Sequence, residues 1–326
     1  MIGLLPVPAP MLDTRVVLIV RRFAVFGAAA CCALACLAQS GSGAHGPTPR
    51  SAGSWQTAVA AAAHLAPEAR VVVLDIADGR LLASSHLAAA SHTMASPGSA
   101  LKPLVLYSLI AAGRWDPSRR VACSRRLSID GHSLNCSHPP AEPMDARQAL
   151  AWSCNTYFAN LADALAPGEL RRLLAPTGLL GQTGLASGEA CAQLRDPQTP
   201  NQARLALLGV EGVRVTPLEF AVAYRWLALQ LAAHPGTPAT ETVRAGLEDS
   251  TSFGMAGAAG LGGVPVAGKT GTASAETGGR THGWFVGLAP SHAPSVAIAV
   301  YLPASHGADA ARVAAELLAH SPLRQP

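Results

Sequence analysis

The chain has 326 residues, room for one large domain or two closely joined lobes, and 49% of them are hydrophobic against 13% charged, which suits a well-buried core and excludes wholesale disorder. Its formal net charge of +4 is mild. The densest basic group, Arg119-Arg120 with Arg125-Arg126, is too sparse for a nucleic-acid-binding stripe, so nucleic acid is not expected as a partner.

Residues 1–38 read as a leader. Arg15, Arg21 and Arg22 flank the unbroken apolar or small run from Phe23 to Ala38, which is long for a signal-peptide core and short for a full membrane span. Cleavage after Ala33-Leu34-Ala35, lipidation at Cys36 despite poorly matching neighbours, and retention as a membrane anchor all remain open. In each case the rest of the chain is expected to be exported: periplasmic or cell-envelope, secreted or held at the cytoplasmic membrane. Residues 39–53, rich in Ser, Gly and Pro, read as a flexible linker.

The remainder, 54–322, reads as one domain. Trp55 to Leu65 is an alanine-rich helix. Arg70 to Ile76 and Arg80 to Ser85 are strands joined into a hairpin at Ala77-Asp78-Gly79. A helix-prone run, Val105 to Ala112, is ended by Gly113. Asp145 with Gln148, and Thr216-Pro217 with Glu219, are capping boxes that open helices. Residues 178–204 and 234–240 are the loosest stretches. Strands return at 264–273, 281–289 and 295–302, and an amphipathic helix spans about 308–319. Strands, then helices, then strands and a helix predict an α+β fold: an antiparallel sheet built from both chain ends, covered by terminal helices, with an inserted all-α lobe. The sheet lobe is expected at about 54–95 and 240–322, and the helical lobe at about 96–239.

Cys123 and Cys136 flank the turn signal Asp130-Gly131. A hairpin would bring them together, and export would permit a disulfide, which is the expectation here. Zinc held with His132 and His138 fits no common structural spacing, so no metal is expected; free thiols are the other alternative. Cys154 and Cys191 read as lone thiols.

Three stretches carry chemistry. In Ser99-Ala100-Leu101-Lys102 a hydroxyl and an amine sit three apart at a helix start, so they share a face and the amine can take the hydroxyl proton. Ser153-Cys154-Asn155 follows a helical run, and Lys269-Thr270-Gly271-Thr272 follows a short apolar one. Taken alone the first pattern is common, and its plain reading is a capped helix; the ordered triple is much more specific.

With Pro97-Gly98 before the serine and His282-Gly283-Trp284-Phe285 after the third motif, the chain resembles the penicillin-binding protein transpeptidase domain of the serine D,D-peptidase and β-lactamase superfamily, over roughly residues 68–320. The resemblance implies a five-stranded sheet lobe, an all-α lobe and a site in the cleft between them. It implies Ser99 as acylated nucleophile, Lys102 as its base, Ser153 as proton relay, Asn155 holding Lys102 and the acyl chain, and Lys269 as a positive charge. Thr270 and Thr272 would bind a substrate carboxylate, Gly271 would admit substrate closely, and the backbone N–H groups of Ser99 and Thr272 would form the oxyanion hole. The implied substrates are D-Ala-D-Ala stem peptides of peptidoglycan, with β-lactam antibiotics as covalent inhibitors and no cofactor. No glycosyltransferase or dimerisation module is recognisable before the domain, so an isolated transpeptidase-type unit is expected.

Two alternatives stand beside D,D-transpeptidase or carboxypeptidase. One is a β-lactamase; Glu169, followed by Leu170-Arg171-Arg172, lacks the Glu-Asn pattern of the class A deacylating base, and class D enzymes have an apolar residue where Asn155 stands. The other is a non-catalytic β-lactam-sensing or scaffold domain that acylates once.

Overall fold

The computed structural model describes residues 52–139, 141–274 and 280–324. The leader and nearly all of the linker read from the sequence lie outside the described residues.

The chain starts with α1 (Ala52–Leu65), the hairpin of β1 (Arg70–Asp75) and β2 (Leu81–Ser84), and short α2 (Leu87–His92). A 3₁₀ turn, Gly98–Leu101, runs into α3 (Lys102–Ala111). A small hairpin, β3 (Ser128–Ile129) with β4 (His132–Ser133), precedes α4 (Ala146–Ala151), α5 (Asn155–Asn160) and α6 (Glu169–Leu174). Next come β5 (Gln193–Leu194), α7 (Pro200–Leu207) and β6 (Val213–Arg214). The long helices α8 (Pro217–Ala233) and α9 (Pro238–Ser252) lead to β7 (Ala267–Ser274), β8 (Thr281–Ala289), β9 (Val296–Leu302) and the last helix, α10 (Gly307–Ala319).

Five strands make one antiparallel sheet in the order β2-β1-β9-β8-β7. Its central strands are apolar at successive positions because both faces are covered. Val296, Ile298 and Val300 of β9 join a core with Trp55 and Val59 of α1 and Val313, Leu317 and Leu318 of α10. Ala297, Ala299 and Tyr301, pointing the other way, join a second core with Phe220, Tyr224 and Leu227 of α8. Phe285 lies in the first core, and its ring runs so close to Gly268 and Gly287 that a Cβ at either would come within 2.6 or 2.9 Å of it.

The capping boxes at Asp145 and Thr216 form as read, each with its side chain on the third helical N–H and the return bond from Gln148 or Glu219. Helix α8, which the sequence division assigns to the helical lobe, floors the sheet; α9, assigned to the sheet lobe, packs on α3 and α4 as well as β7. The short α2 and the long α9 escape the sequence reading, and α7 falls inside the expected helical lobe but starts in the stretch 178–204 read as loose. Helix α9 does carry a start signal, Thr237 as N-cap with Pro238 at the first turn. Among the described residues no helix is long and apolar enough to cross a membrane.

Phe285→Ala should open a cavity between the sheet and its terminal helices. The expected loss is about 3–5 kcal/mol, read as a lower urea midpoint.

Candidate active site

The turn that carries Ser99 is suspended between the sheet and the helices. Just before it, the Ser96 carbonyl accepts hydrogen bonds from Trp284 Nε1 at 2.9 Å and His282 Nε2 at 2.8 Å, both on β8. Burial lowers the His282 pKa, so the ring stays neutral with its proton on the nitrogen facing Ser96. Gly98 N donates to Gly209 O at 2.9 Å, and the hydroxyl of Tyr224, on α8, donates to Ala100 O at 2.9 Å. Gly98 has a φ of 54°, and a Cβ there would lie 2.7 Å from Thr272 O and 3.1 Å from Thr272 N. Only glycine meets both demands, a left-handed backbone and contact with a strand. Gly271 makes the reciprocal approach: a Cβ on it would overlap Pro97 O. The turn bearing Ser99 therefore lies directly on β7. The Lys102 N–H donates to Ser99 O, carrying the turn into α3, where Pro103 occupies the first turn.

The second motif joins α4 to α5. Ser153 has a φ of 57°, a strained left-handed conformation for a residue with a side chain. That bend aims its carbonyl and its hydroxyl at one point, the amine of Lys102, at 2.9 and 3.2 Å. Asn155 supplies a third acceptor, Oδ1, at 2.7 Å, while its Nδ2 donates to Leu134 O at 3.0 Å. Lys102 is wholly buried, with its amine 4.9 Å from the centre of the Phe158 ring. Burial pushes the amine down to about 7, against an opposing pull from the thiols of Cys136, Cys154 and Cys123. When neutral, Lys102 has a lone pair to offer, so the Ser153 hydroxyl can donate to it instead of accepting.

The third motif lies on β7, the edge strand. Lys269 is also fully buried; burial and then the nearby Lys102 charge hold its pKa well below the ordinary lysine value. Its amine donates to Thr270 O at 3.3 Å. By strand alternation Lys269 and Gly271 share one face and Thr270 and Thr272 the other. The Thr272 hydroxyl accepts from Gly307 N at 2.9 Å at the start of α10, and its proton remains available. The Thr270 hydroxyl donates to Met255 O at 3.2 Å and would have to turn to meet a ligand.

No acidic side chain among the described residues hydrogen-bonds Lys102, Ser153 or Asn155. Glu169 is bound by Arg114 at 2.7 Å and by Ala166 N at 2.6 Å. A cleft of about 740 Å³ extends past Ser96 and Ser274 and is lined by Arg171, Arg195, Arg214, His132 and Glu211.

The cysteines differ from the sequence expectation. Cys123 and Cys136 are free thiols. The hairpin does form, with Ile129 opposite His132, Ser128 opposite Ser133 and Cys136 N donating to Arg125 O, so Cys123 and Cys136 do not stand directly opposite each other although their sulfurs share one cluster. Continuing that register places Cys123 opposite His138, and Cys123 Sγ lies 3.4 Å from His138 Nε2. Cys136 Sγ instead lies 3.9 Å from Cys154 Sγ, so Cys154 is not a lone thiol. His132 is elsewhere, 2.6 Å from Glu211.

The anchors Trp284, His282, Gly209 and Tyr224 were not singled out from the sequence as supports of the nucleophile turn. The run His282-Gly283-Trp284-Phe285 is the one visible signal, and its plainer reading is sheet packing.

The fold is that of penicillin-binding protein transpeptidase domains. A peptidoglycan glycosyltransferase from Burkholderia ambifaria superposes with a TM-score of 0.70 at 21% identity, covering 82% of this chain and 92% of that one. The transpeptidase domain of penicillin-binding protein 3 from Burkholderia pseudomallei gives 0.71 at 21% identity, with 87% and 100% covered. Penicillin-binding protein 2 from Pseudomonas aeruginosa, solved in complex with WCK 5153, gives 0.71 at 21% identity, with 82% and 74% covered. Comparison with curated protein sequences gives no match. The family model described as penicillin binding protein transpeptidase domain matches residues 69–321, and the chain belongs to that family.

Two buried lysines make stability depend on pH. Lys102 binds its proton below about 7 when folded and below 10.5 ordinarily. Between those values the unfolded chain binds the extra proton, so stability should rise with pH across this window, with Lys269 acting in the same direction. The urea midpoint should be higher at about pH 9 than at about pH 7, with a smaller rise in Lys102→Met.

Proposed function

We propose that the chain is a serine D,D-transpeptidase or carboxypeptidase acting on D-Ala-D-Ala stem peptides through an acyl-enzyme at Ser99. The observation that carries this reading is Lys102: fully buried, one helical turn from Ser99, and bonded to both Ser153 and Asn155. In this reading neutral Lys102 takes the Ser99 hydroxyl proton as Oγ attacks the carbonyl carbon of the D-Ala-D-Ala bond. The N–H groups of Ser99 and Thr272 receive the developing oxyanion, consistent with the contact between Gly98 and the Thr272 backbone. The C–N bond then breaks, Lys102 passes its proton through Ser153 to the departing amine, and an ester remains on Ser99. A second amine resolves the ester in a transpeptidase, and water in a carboxypeptidase.

Thr272, with Thr270 after rotation, would bind the substrate carboxylate, Lys269 would add positive charge nearby, and Asn155 would hold the acyl chain. Edge strand β7 offers its free side to an extended peptide, and the arginine-lined cleft suits an anionic one. Such a substrate lies outside the cytoplasm, in keeping with the basic-flanked apolar leader.

Fluorescent penicillin should label the protein, and peptide mapping should place the adduct on Ser99. Ser99→Ala should lose all label while staying folded; label persisting there would end the assignment. Because Lys102 must be neutral to act, the labelling rate should rise as pH climbs through about 7.

The engagement of Glu169 with Arg114 and Ala166 favours a peptidase over a β-lactamase, since that carboxylate is not free to activate water at the ester. The penicillin adduct should persist for minutes to hours. Sustained nitrocefin turnover at about 1 s⁻¹ or faster, within the ordinary enzyme range, would promote the lactamase reading.

A further inference from the structure

Beside the proposed catalytic groups lies a second cluster, and the acyl-transfer reading leaves it without a role. Cys123, Cys136, His138 and Cys154 direct one ligand atom each toward a common point, and these four atoms all lie within 4.8 Å of one another. Three of the residues are buried and Cys123 is partly so. They come from separate places: Cys123 before the β3–β4 hairpin, Cys136 and His138 after it, and Cys154 from the α4–α5 junction. Four soft or borderline ligands gathered from three segments are not explained by apolar packing.

We propose that Cys123, Cys136, Cys154 and His138 form a structural Zn²⁺ site. Two opposite edges of the cluster match those of a tetrahedron around one ion, and all four ligand atoms lie within 4.8 Å of one another. Zn–S bonds of about 2.3 Å and a Zn–N bond of about 2.0–2.1 Å require S···S edges of about 3.8 Å and S···N edges of about 3.6 Å. The Cys136–Cys154 edge is 3.9 Å and the Cys123–His138 edge is 3.4 Å. A disulfide instead needs sulfurs about 2.05 Å apart, so forming one would pull the cluster out of this arrangement. Three thiolates and an imidazole favour zinc over the hard oxygen-seeking cations.

The surroundings are those of ligands held for a metal. His138 Nδ1 lies 2.7 Å from Pro139 O, which places the proton there and leaves the Nε2 lone pair facing Cys123. Arg125 Nη1 donates to His138 O at 2.6 Å and fixes the backbone of that ligand. Backbone amides reach the sulfurs: Asn155 N is 3.1 Å from Cys136 Sγ, and Arg125 N is 3.4 Å from Cys123 Sγ. Such N–H···S contacts offset the negative charge that thiolate ligands bring. Binding transfers no electrons. The ion enters as Zn²⁺, four coordinate bonds form, and three thiol protons leave to solvent.

The consequence falls on the second motif. Cys154 sits between Ser153 and Asn155, so an ion gripping it would pin the strained Ser153 bend and the amide that holds Lys102. The metal would also clip the β3–β4 hairpin, whose Leu134 carbonyl accepts from Asn155, onto the start of α5.

The whole chain, purified with reductant and supplied zinc but no chelator, should carry one equivalent of tightly held zinc by elemental analysis. Replacement by Co²⁺ should give intense tetrahedral ligand-field bands together with thiolate-to-cobalt charge transfer, a readout that needs no variant. Cys123→Ser and His138→Ala should each lose the equivalent and lower Tm, whereas His138→Cys should retain it. Removing the ion should also slow penicillin labelling. Thiols that stay reduced without binding metal, a Cys136–Cys154 or Cys123–Cys136 disulfide found by mass mapping, or zinc retained in both loss variants would each overturn the proposal. Metal content is read without penicillin, so failure of this site and failure of the acyl-transfer reading are separate results.

Discussion

A lysine ammonium taken out of water is expensive to keep, and Lys102 is fully buried. Two things make the burial tolerable. Three oxygen acceptors at 2.7–3.2 Å satisfy its protons, and its pKa falls to about 7, so near neutrality the amine need not always carry charge. The acceptors come from Ser153 and Asn155, far along the chain, so this single amine ties α3 to the α4–α5 junction. The left-handed backbone at Ser153 follows from the same requirement, because it lets one residue present both its carbonyl and its hydroxyl to Lys102.

The nucleophile turn is held from the opposite side by the sheet. Ser96 O, Gly98 N and Ala100 O are each bonded to a separate support: the β8 rings, the Gly209 carbonyl and Tyr224 of α8. Backbone groups in a buried turn need partners, and here those partners also fix where Ser99 lies relative to β7. Gly98 and Gly271 bring the two segments together where any larger residue would hold them apart. Positioning on rigid elements is what acyl transfer demands, since small displacements of a nucleophile or an oxyanion donor are costly in rate.

Hairpin register decides the chemistry of the cysteines. Had the β3–β4 strands paired so that residues 123 and 136 stood opposite each other, a disulfide would be the natural outcome. The observed pairing sets Cys136 against Arg125 and carries Cys123 to His138. The third thiol arrives from the motif that bonds Lys102, so the environment of the cysteines and that of the proposed catalytic lysine are parts of one structure.

Much of the fold was legible in local pattern. Short apolar runs and turn residues marked the β1–β2 hairpin, the capping boxes at Asp145 and Thr216 marked two helix starts, and further runs marked the last three strands; such signals act between near neighbours, so the sequence carries them openly. The three motifs were equally visible, because each is a short run whose spacing sets which side chains share a helix face or strand. What the sequence could not supply was everything that depends on distant segments meeting. That Tyr224 and Trp284 hold the Ser99 turn, that Glu169 answers to Arg114, and that Cys154 faces Cys136 all follow from packing between elements. The order of residues determined which helices and strands this protein makes and which chemical groups it carries. Only the tertiary structure decided which of those groups meet, because side-chain contacts over long separations are set by burying two shared cores and satisfying buried polar groups, and the periodicity that marks a buried face does not name its partner.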